Sequence, residues 1–157
     1  MTNNISSEIE IDFIAVDIKG QSKKAVFENL LSFIAQKISI PKDAPLERLL
    51  EKEEFESCAI GHGVAIPHVR VCNLKHPVTI LARLENAADF KADDGTKVDL
   101  ICLVLSPNNS GAFRLIRVSR LQRLLADTHL CNAIREARDE DAIHNIIFNP
   151  EGWVMAA

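Results

Sequence analysis

No stretch of the 157-residue chain stays apolar for long enough to cross a bilayer as a helix, so no membrane insertion is expected. No signal peptide is expected either: Met1 to Glu10 is polar and acidic and reads as a loose tail. The four cysteines, Cys58, Cys72, Cys102 and Cys131, are too scattered for a disulfide scaffold. That usage fits a reduced, cytoplasmic protein. Basic clusters of the kind that bind nucleic acid are missing; 18 Lys and Arg stand against 22 Asp and Glu, a formal net charge of −4. No P-loop or dinucleotide fingerprint appears, and Gly61-His62-Gly63 alone is too short to be one, so no nucleotide site or cofactor is implied. Repeats are absent as well, and no linker divides residues 1–157 into two domains.

What is present is an ordinary globular balance, 47% hydrophobic and 25% charged, in a length that suits one domain with a real core. Ile11 to Ile18 is β-branched and reads as a strand. Ser22 is placed to cap a helix running to about Ser39, with Ala25, Leu30, Ile34 and Ile38 on its inner stripe. Pro41 ends that segment, and Pro45 starts a second helix with Leu46, Leu49 and Leu50 inward. Glu53 to Ser57 reads as a charged approach to the central motif.

Beyond the motif, Asn73 to Pro77 is expected to turn, Val78 to Leu84 to form a strand, and Asn86 to Gly95 to loop over with Phe90 as its anchor. Val98 to Leu105 is the most hydrophobic run, as in a central strand covered on both faces. After a loop from Ser106 to Gly111, Ala112 to Ala126 reads as a helix with Leu115, Val118, Leu121, Leu124 and Leu125 as its buried ridge. His129 to Ala137 and Asp141 to Phe148 read as two short helices. The expected architecture is a single α/β domain, a mixed β-sheet flanked by helices on both faces.

The chemistry centres on Gly61-His62-Gly63-Val64-Ala65-Ile66-Pro67-His68. The two glycines permit a sharp turn about His62. Val64-Ala65-Ile66 reads as the end of a buried strand, and Pro67 holds Ile66 extended. His68 is therefore delivered on a stiff backbone, which suits an imidazole that must be accurately placed to transfer a group. A neutral imidazole is a nucleophile near neutral pH, and phosphoryl transfer asks a protein mainly for positioning and charge stabilisation.

This octapeptide resembles the active-site motif of the type 2 enzyme IIA domains (fructose, mannitol and nitrogen-regulatory) of the bacterial phosphoenolpyruvate-dependent phosphotransferase system, and the likeness extends over about residues 5–150. It implies a mannitol-type IIA-like fold and a phosphohistidine carrier in which His68 accepts a phosphoryl group from the histidine-containing phosphocarrier protein. Gly61, His62, Gly63, Pro67 and Cys58 would then surround the active site. Lys52 stands where the family often has an arginine, and Arg114 where it commonly has a second histidine, so both would stabilise phosphate. Cys58-Ala59 replaces the family's Thr-Gly, and Val69 its glycine after the active histidine. With no sugar-transport or IIB domain attached, the nitrogen-regulatory branch is expected, with a regulated kinase or transporter downstream.

Two other readings compete. One is a regulatory binding module on the same fold that docks without being phosphorylated. The other is structural zinc on Cys58, His62, His68 and Cys72, whose residue types are all zinc ligands but whose spacing matches no standard finger; no metal is expected. The Arg114, Arg117, Arg120, Arg123 row spirals half-way round its helix, and Arg117, Arg120 and Arg123 are expected to be solvated.

Overall fold

In the computed structural model, which describes residues 11–109 and 111–148, the most hydrophobic run forms the middle of the sheet. The strands are β1 (Phe13–Ile18), β2 (Ala59–Gly61), β3 (Val64–Ala65), β4 (His68–Arg70), β5 (Val78–Ala88) and β6 (Val98–Ser106). Order across the sheet is β1-β5-β6-β3-β2, with β4 also paired to β6. Pairing is antiparallel for β5–β6 and β2–β3 and parallel for β1–β5, β3–β6 and β4–β6, so the sheet is mixed, as expected. The reading of residues 1–10 as a loose tail lies outside the described residues.

β6 explains the layers. Its side chains alternate between two cores, as the period of two requires. Ile101, Leu103 and Leu105 pack with Val26, Phe27, Leu30 and Leu49 from α1 (Lys23–Ala35) and α2 (Asp43–Phe55). Leu100, Cys102 and Val104 pack with Leu121, Leu125, Leu130, Ile134 and Ile143 from α3 (Ala112–Leu125), α4 (Thr128–Glu136) and α5 (Glu140–Phe148). Helices thus cover both faces. Phe90 anchors its loop as expected, fully buried and edge-on to Phe27 at 5.7 Å between ring centres.

Several boundaries differ. α1 stops at Ala35 rather than near Ser39, because Pro41 denies Ile40 a helical backbone and the chain must leave the helix before it. Ser22 does cap it, accepting the Ala25 N–H at 3.1 Å. α2 runs on to Phe55, so most of the charged approach is helical; Pro45 sits in the first turn, where its missing N–H costs nothing. Glu53 belongs to this helix and is held from two sides, by Lys23 Nζ at 2.6 Å and by the Cys58 N–H at 2.9 Å. β5 continues to Ala88 past a register shift, three residues into the expected loop.

The largest difference lies on α3. Leu121 and Leu125 are buried, but Leu115 is 59% exposed, and so are Phe113 at 76% and Ile116 at 46%. The helix touches the sheet with its C-terminal half and leaves the apolar residues of its first turns outside. Arg117 is not a solvated charge either: its Nη1 donates to the buried Thr79 Oγ1 at 2.9 Å. Arg120 and Arg123 are exposed, as expected.

Leu121→Ala is expected to cost about 2–5 kcal/mol in urea unfolding, the range for a buried leucine, whereas Leu115→Ala stays within about 0.5 kcal/mol. A comparable loss from both would mean that α3 lies with Leu115 inward.

Candidate functional site

β3 and β4 are two short segments lying end to end along one edge of β6. Val64 pairs with Leu100 and Ala65 with Ile101; His68 then pairs with Val104 and Val69 with Leu105. Ile66-Pro67 bridges the gap, and the Pro67 carbonyl still accepts the Val104 N–H at 2.9 Å. The proline donates nothing, so the ladder breaks there without a stranded N–H. Val69 turns into the core shared with α1 and α2, so alternation sends His68 and Arg70 to the other side, towards α3.

His68 is half-buried, and its ring is met by a lysine from α2. Lys52 Nζ lies 3.1 Å from Nδ1 of His68 and donates to the His68 carbonyl at 2.9 Å. Arg114, in the first turn of α3, lies close enough to act on both groups. Burial first, then the Lys52 and Arg114 charges, pull the His68 pKa down to about 4. Lys52 is lowered by burial and then by Arg114 and Arg70; Arg114 is lowered by burial and then by Arg70. The imidazole is thus neutral at physiological pH, and among the described residues none of Lys52, Arg70 and Arg114 forms an ion pair. The Nε of Arg114 is buried with no hydrogen-bond acceptor.

Two clefts meet here, sharing Lys52 and Phe55. One, of about 410 Å³, is lined by His68, Pro67, Ile66, Cys58, Ile60 and Gln122. The other, of about 560 Å³, is lined by Arg48, Arg70, Asn108 and Arg114. Phe55 is 90% exposed at the boundary.

The structure therefore brings His68, Lys52, Arg114, Pro67 and Cys58 together. It sets Gly61, His62 and Gly63 apart. Those three form the β2–β3 turn, with φ of 100°, 56° and 80° in succession, the left-handed region that glycine tolerates best. Asp94 Oδ2 accepts the His62 N–H at 2.8 Å, and Arg135 Nη2 donates to the His62 carbonyl at 2.6 Å. Val64 and His68 pair with β6 residues four positions apart, roughly 13 Å at ~3.3 Å per residue, and the turn lies farther out still. The glycines shape the strand that leads to His68 and are not its neighbours.

The zinc reading loses its geometry for the same reason: among the described residues no three His, Cys, Asp or Glu side chains are grouped to hold a metal ion. Burial and the Glu53 charge push the Cys58 thiol far above its ordinary range, so it is no thiolate. Arg48, read only as an outward-facing helix residue, and Arg70, Asn108 and Phe55 were not singled out as site residues from the sequence. Arg70 stands two residues after His68, on the same side of β4, and Arg48 one helical turn before Lys52; those spacings were the available signal.

An α/β domain with a half-buried, neutral histidine on an edge strand, ringed by cations, defines a class of single-domain proteins built around such a histidine. Comparison with known proteins narrows it: the family described as the phosphoenolpyruvate-dependent sugar phosphotransferase system, EIIA 2, matches residues 8–149, and this chain belongs to it. It is 35% identical over 133 residues to a nitrogen regulatory protein of Bradyrhizobium diazoefficiens, covering 85% of this chain and 87% of the relative. With the nitrogen regulatory protein of Escherichia coli K12 it shares 30% over 158 residues, covering 97% of each. The crystal structure of nitrogen regulatory protein IIA-Ntr from Neisseria meningitidis superposes with a TM-score of 0.79 at 26% identity, covering 91% of this chain and 98% of that one. Among the described residues no helix is long and apolar enough to cross a membrane.

The His68 ring is expected to titrate near pH 4 by NMR. Lys52→Met should raise that midpoint only part of the way to the ordinary 6.5, because burial is the larger cause. The sign for stability follows. The folded-state pKa lies below the unfolded value, so folding stability declines as pH falls from about 6.5 towards 4. An unshifted midpoint in the wild type would mean the ring is open to water and away from the cations.

Proposed function

We propose that this protein is a phosphohistidine carrier of the nitrogen-regulatory type, which accepts a phosphoryl group on His68 from the histidine-containing phosphocarrier protein and signals by its occupancy to a regulated kinase or transporter in the cytoplasm. The observation that carries the reading is the His68 ring itself: neutral, rigidly mounted, and covered at Nδ1 by Lys52, so that Nε2 is the nitrogen a donor reaches.

The step balances simply. The Nε2 lone pair forms the new N–P bond while the donor's N–P bond breaks and its electron pair stays on the donor ring. In the resting ring Nδ1 accepts from Lys52 and the proton sits on Nε2; to react, that proton moves to Nδ1 through solvent, freeing the Nε2 lone pair, and Lys52 turns to the His68 carbonyl alone. No step needs a metal or a bound nucleotide. Arg114 then faces the phosphoryl oxygens, while Lys52 adds its positive charge from the Nδ1 side of the ring. Arg114 is charged at every physiological pH and can donate two parallel N–H bonds, which holds the group in the ground state more firmly than a histidine would. Binding the ground state well favours retention over onward transfer. A slow-releasing carrier suits a regulator read by its phosphorylation state.

Exposed apolar side chains border the site. Phe55 and Ile60 line the His68 cleft, and Phe113, Leu115 and Ile116 flank Arg114 in the first turns of α3. They form the surface offered to the donor protein, an apolar patch edged by cations.

Incubation with phosphoenolpyruvate, enzyme I and the phosphocarrier should add one phosphoryl mass, and His68→Ala should abolish it without loss of fold. Uptake at the wild-type rate in His68→Ala would remove the proposal, and so would no uptake by wild type, which would favour a module that docks unphosphorylated. Arg114→His should speed loss of the group and Arg114→Ala should weaken its uptake. Phe113→Asp should slow uptake at least tenfold; an unchanged rate would move the docking surface elsewhere.

A further inference from the structure

The cleft beside His68 holds more positive charge than one phosphoryl group needs. Arg48, Lys52, Arg70 and Arg114 all line it, and Glu51 is the one carboxylate in its walls. Among the described residues the ion pairs are Lys23–Glu53 and Arg135–Asp99, so none of the four cations is neutralised. Nature rarely gathers unpaired cations in a concave wall unless something anionic sits there, because their mutual repulsion is unfavourable. Burial first, and then that repulsion, lowers the Lys52 and Arg114 pKa values, with Arg70 contributing to both.

The charges fall in two ranks. His68 and Arg70 are two residues apart on one side of β4, about 6.6 Å at ~3.3 Å per residue. Lys52 and Arg48 are one turn apart on α2, about 6 Å. The inner rank, Lys52 and Arg114, serves a group on Nε2 of His68. The outer rank, Arg48 and Arg70, has no such duty. Arg48 is fixed by its Nη1 donating to the Arg70 carbonyl at 2.8 Å, while Asn108, a neutral donor, closes the far wall. At about 560 Å³ the cleft has room for a small molecule, and the exposed Phe55 ring offers an organic group a surface at its mouth.

We infer that this cleft is a binding site for a small metabolite bearing two phosphate groups, one set between Arg48 and Arg70 and the other between Lys52 and Arg114. Such a ligand brings negative charge to the place that a phosphoryl group on His68 would occupy. It therefore competes with phosphorylation and would couple the carrier's state to a metabolite level. The inference extends the proposed function but stands without it, since binding is measured on the unmodified protein with no phosphoryl donor present.

Calorimetric titration at matched ionic strength tests it with inorganic pyrophosphate and inorganic phosphate as probes. Pyrophosphate should bind at least tenfold tighter than phosphate. Arg70→Gln, which removes an exposed side chain, should weaken pyrophosphate at least fivefold and leave the circular dichroism and melting temperature in place. Arg120→Gln, outside the cleft, should weaken it less than twofold. Equal affinity for the two anions, or equal losses from Arg70→Gln and Arg120→Gln, would overturn the site. A tetraglutamate peptide that displaces pyrophosphate at a lower concentration than phosphate does would make the cleft a protein-docking surface and overturn it too.

Discussion

Everything at the site depends on the pairing of residues 64–70 with β6. That strand is buried on both faces, so it cannot shift without disturbing both cores. Pinning β4 to it fixes the height of His68 along the sheet, and the fixed φ of Pro67 fixes its approach. α2 and α3, packed on opposite faces, then meet at that edge and supply Lys52 and Arg114. The His68 ring is thus located by the most deeply buried strand, while its charged neighbours come from helices whose own cores hold them.

The cost of this arrangement is electrostatic. A neutral imidazole shares a half-buried corner with several cations: burial and then the Lys52 and Arg114 charges lower the proton affinity of His68, burial and then Arg114 and Arg70 lower that of Lys52, and burial and then Arg70 lower that of Arg114. Such a corner is not optimised for stability in the empty state. It is relieved when an anion arrives, which is the general signature of a site whose charge is kept for a ligand. The neutral ring keeps its one free nitrogen lone pair down to mildly acidic pH, and the cations stand ready for the charge a phosphoryl group would bring.

The sequence showed much of this where the cause was local. Pro67 and the glycines declared an extended mount and a turn, alternation and length marked Val98 to Leu105 as central, and the helices declared themselves by period and caps. The failures have physical reasons. The rule that apolar means inward misplaced Leu115, because the first turns of α3 leave their apolar side chains outside the fold. Arg117 went wrong because a row repeating every third residue spirals, and one member must face the protein. The distance between the Gly61-His62-Gly63 turn and His68 depends on register against β6, which no local pattern contains. The convergence of Lys52 and Arg114, sixty-two residues apart, came only through family likeness; Arg48 and Arg70 carried the right spacings but no motif to single them out.

The central claim is that His68 presents Nε2 as the phosphoryl acceptor, and the direct measurement is NMR of histidine-labelled, nitrogen-15 protein after phosphorylation by the phosphocarrier. Of the five histidines, His62, His76, His129 and His144 should keep their spectra. The account predicts phosphorus–nitrogen coupling at Nε2 of His68 alone. Coupling at Nδ1 of His68, or at any other histidine, would contradict it.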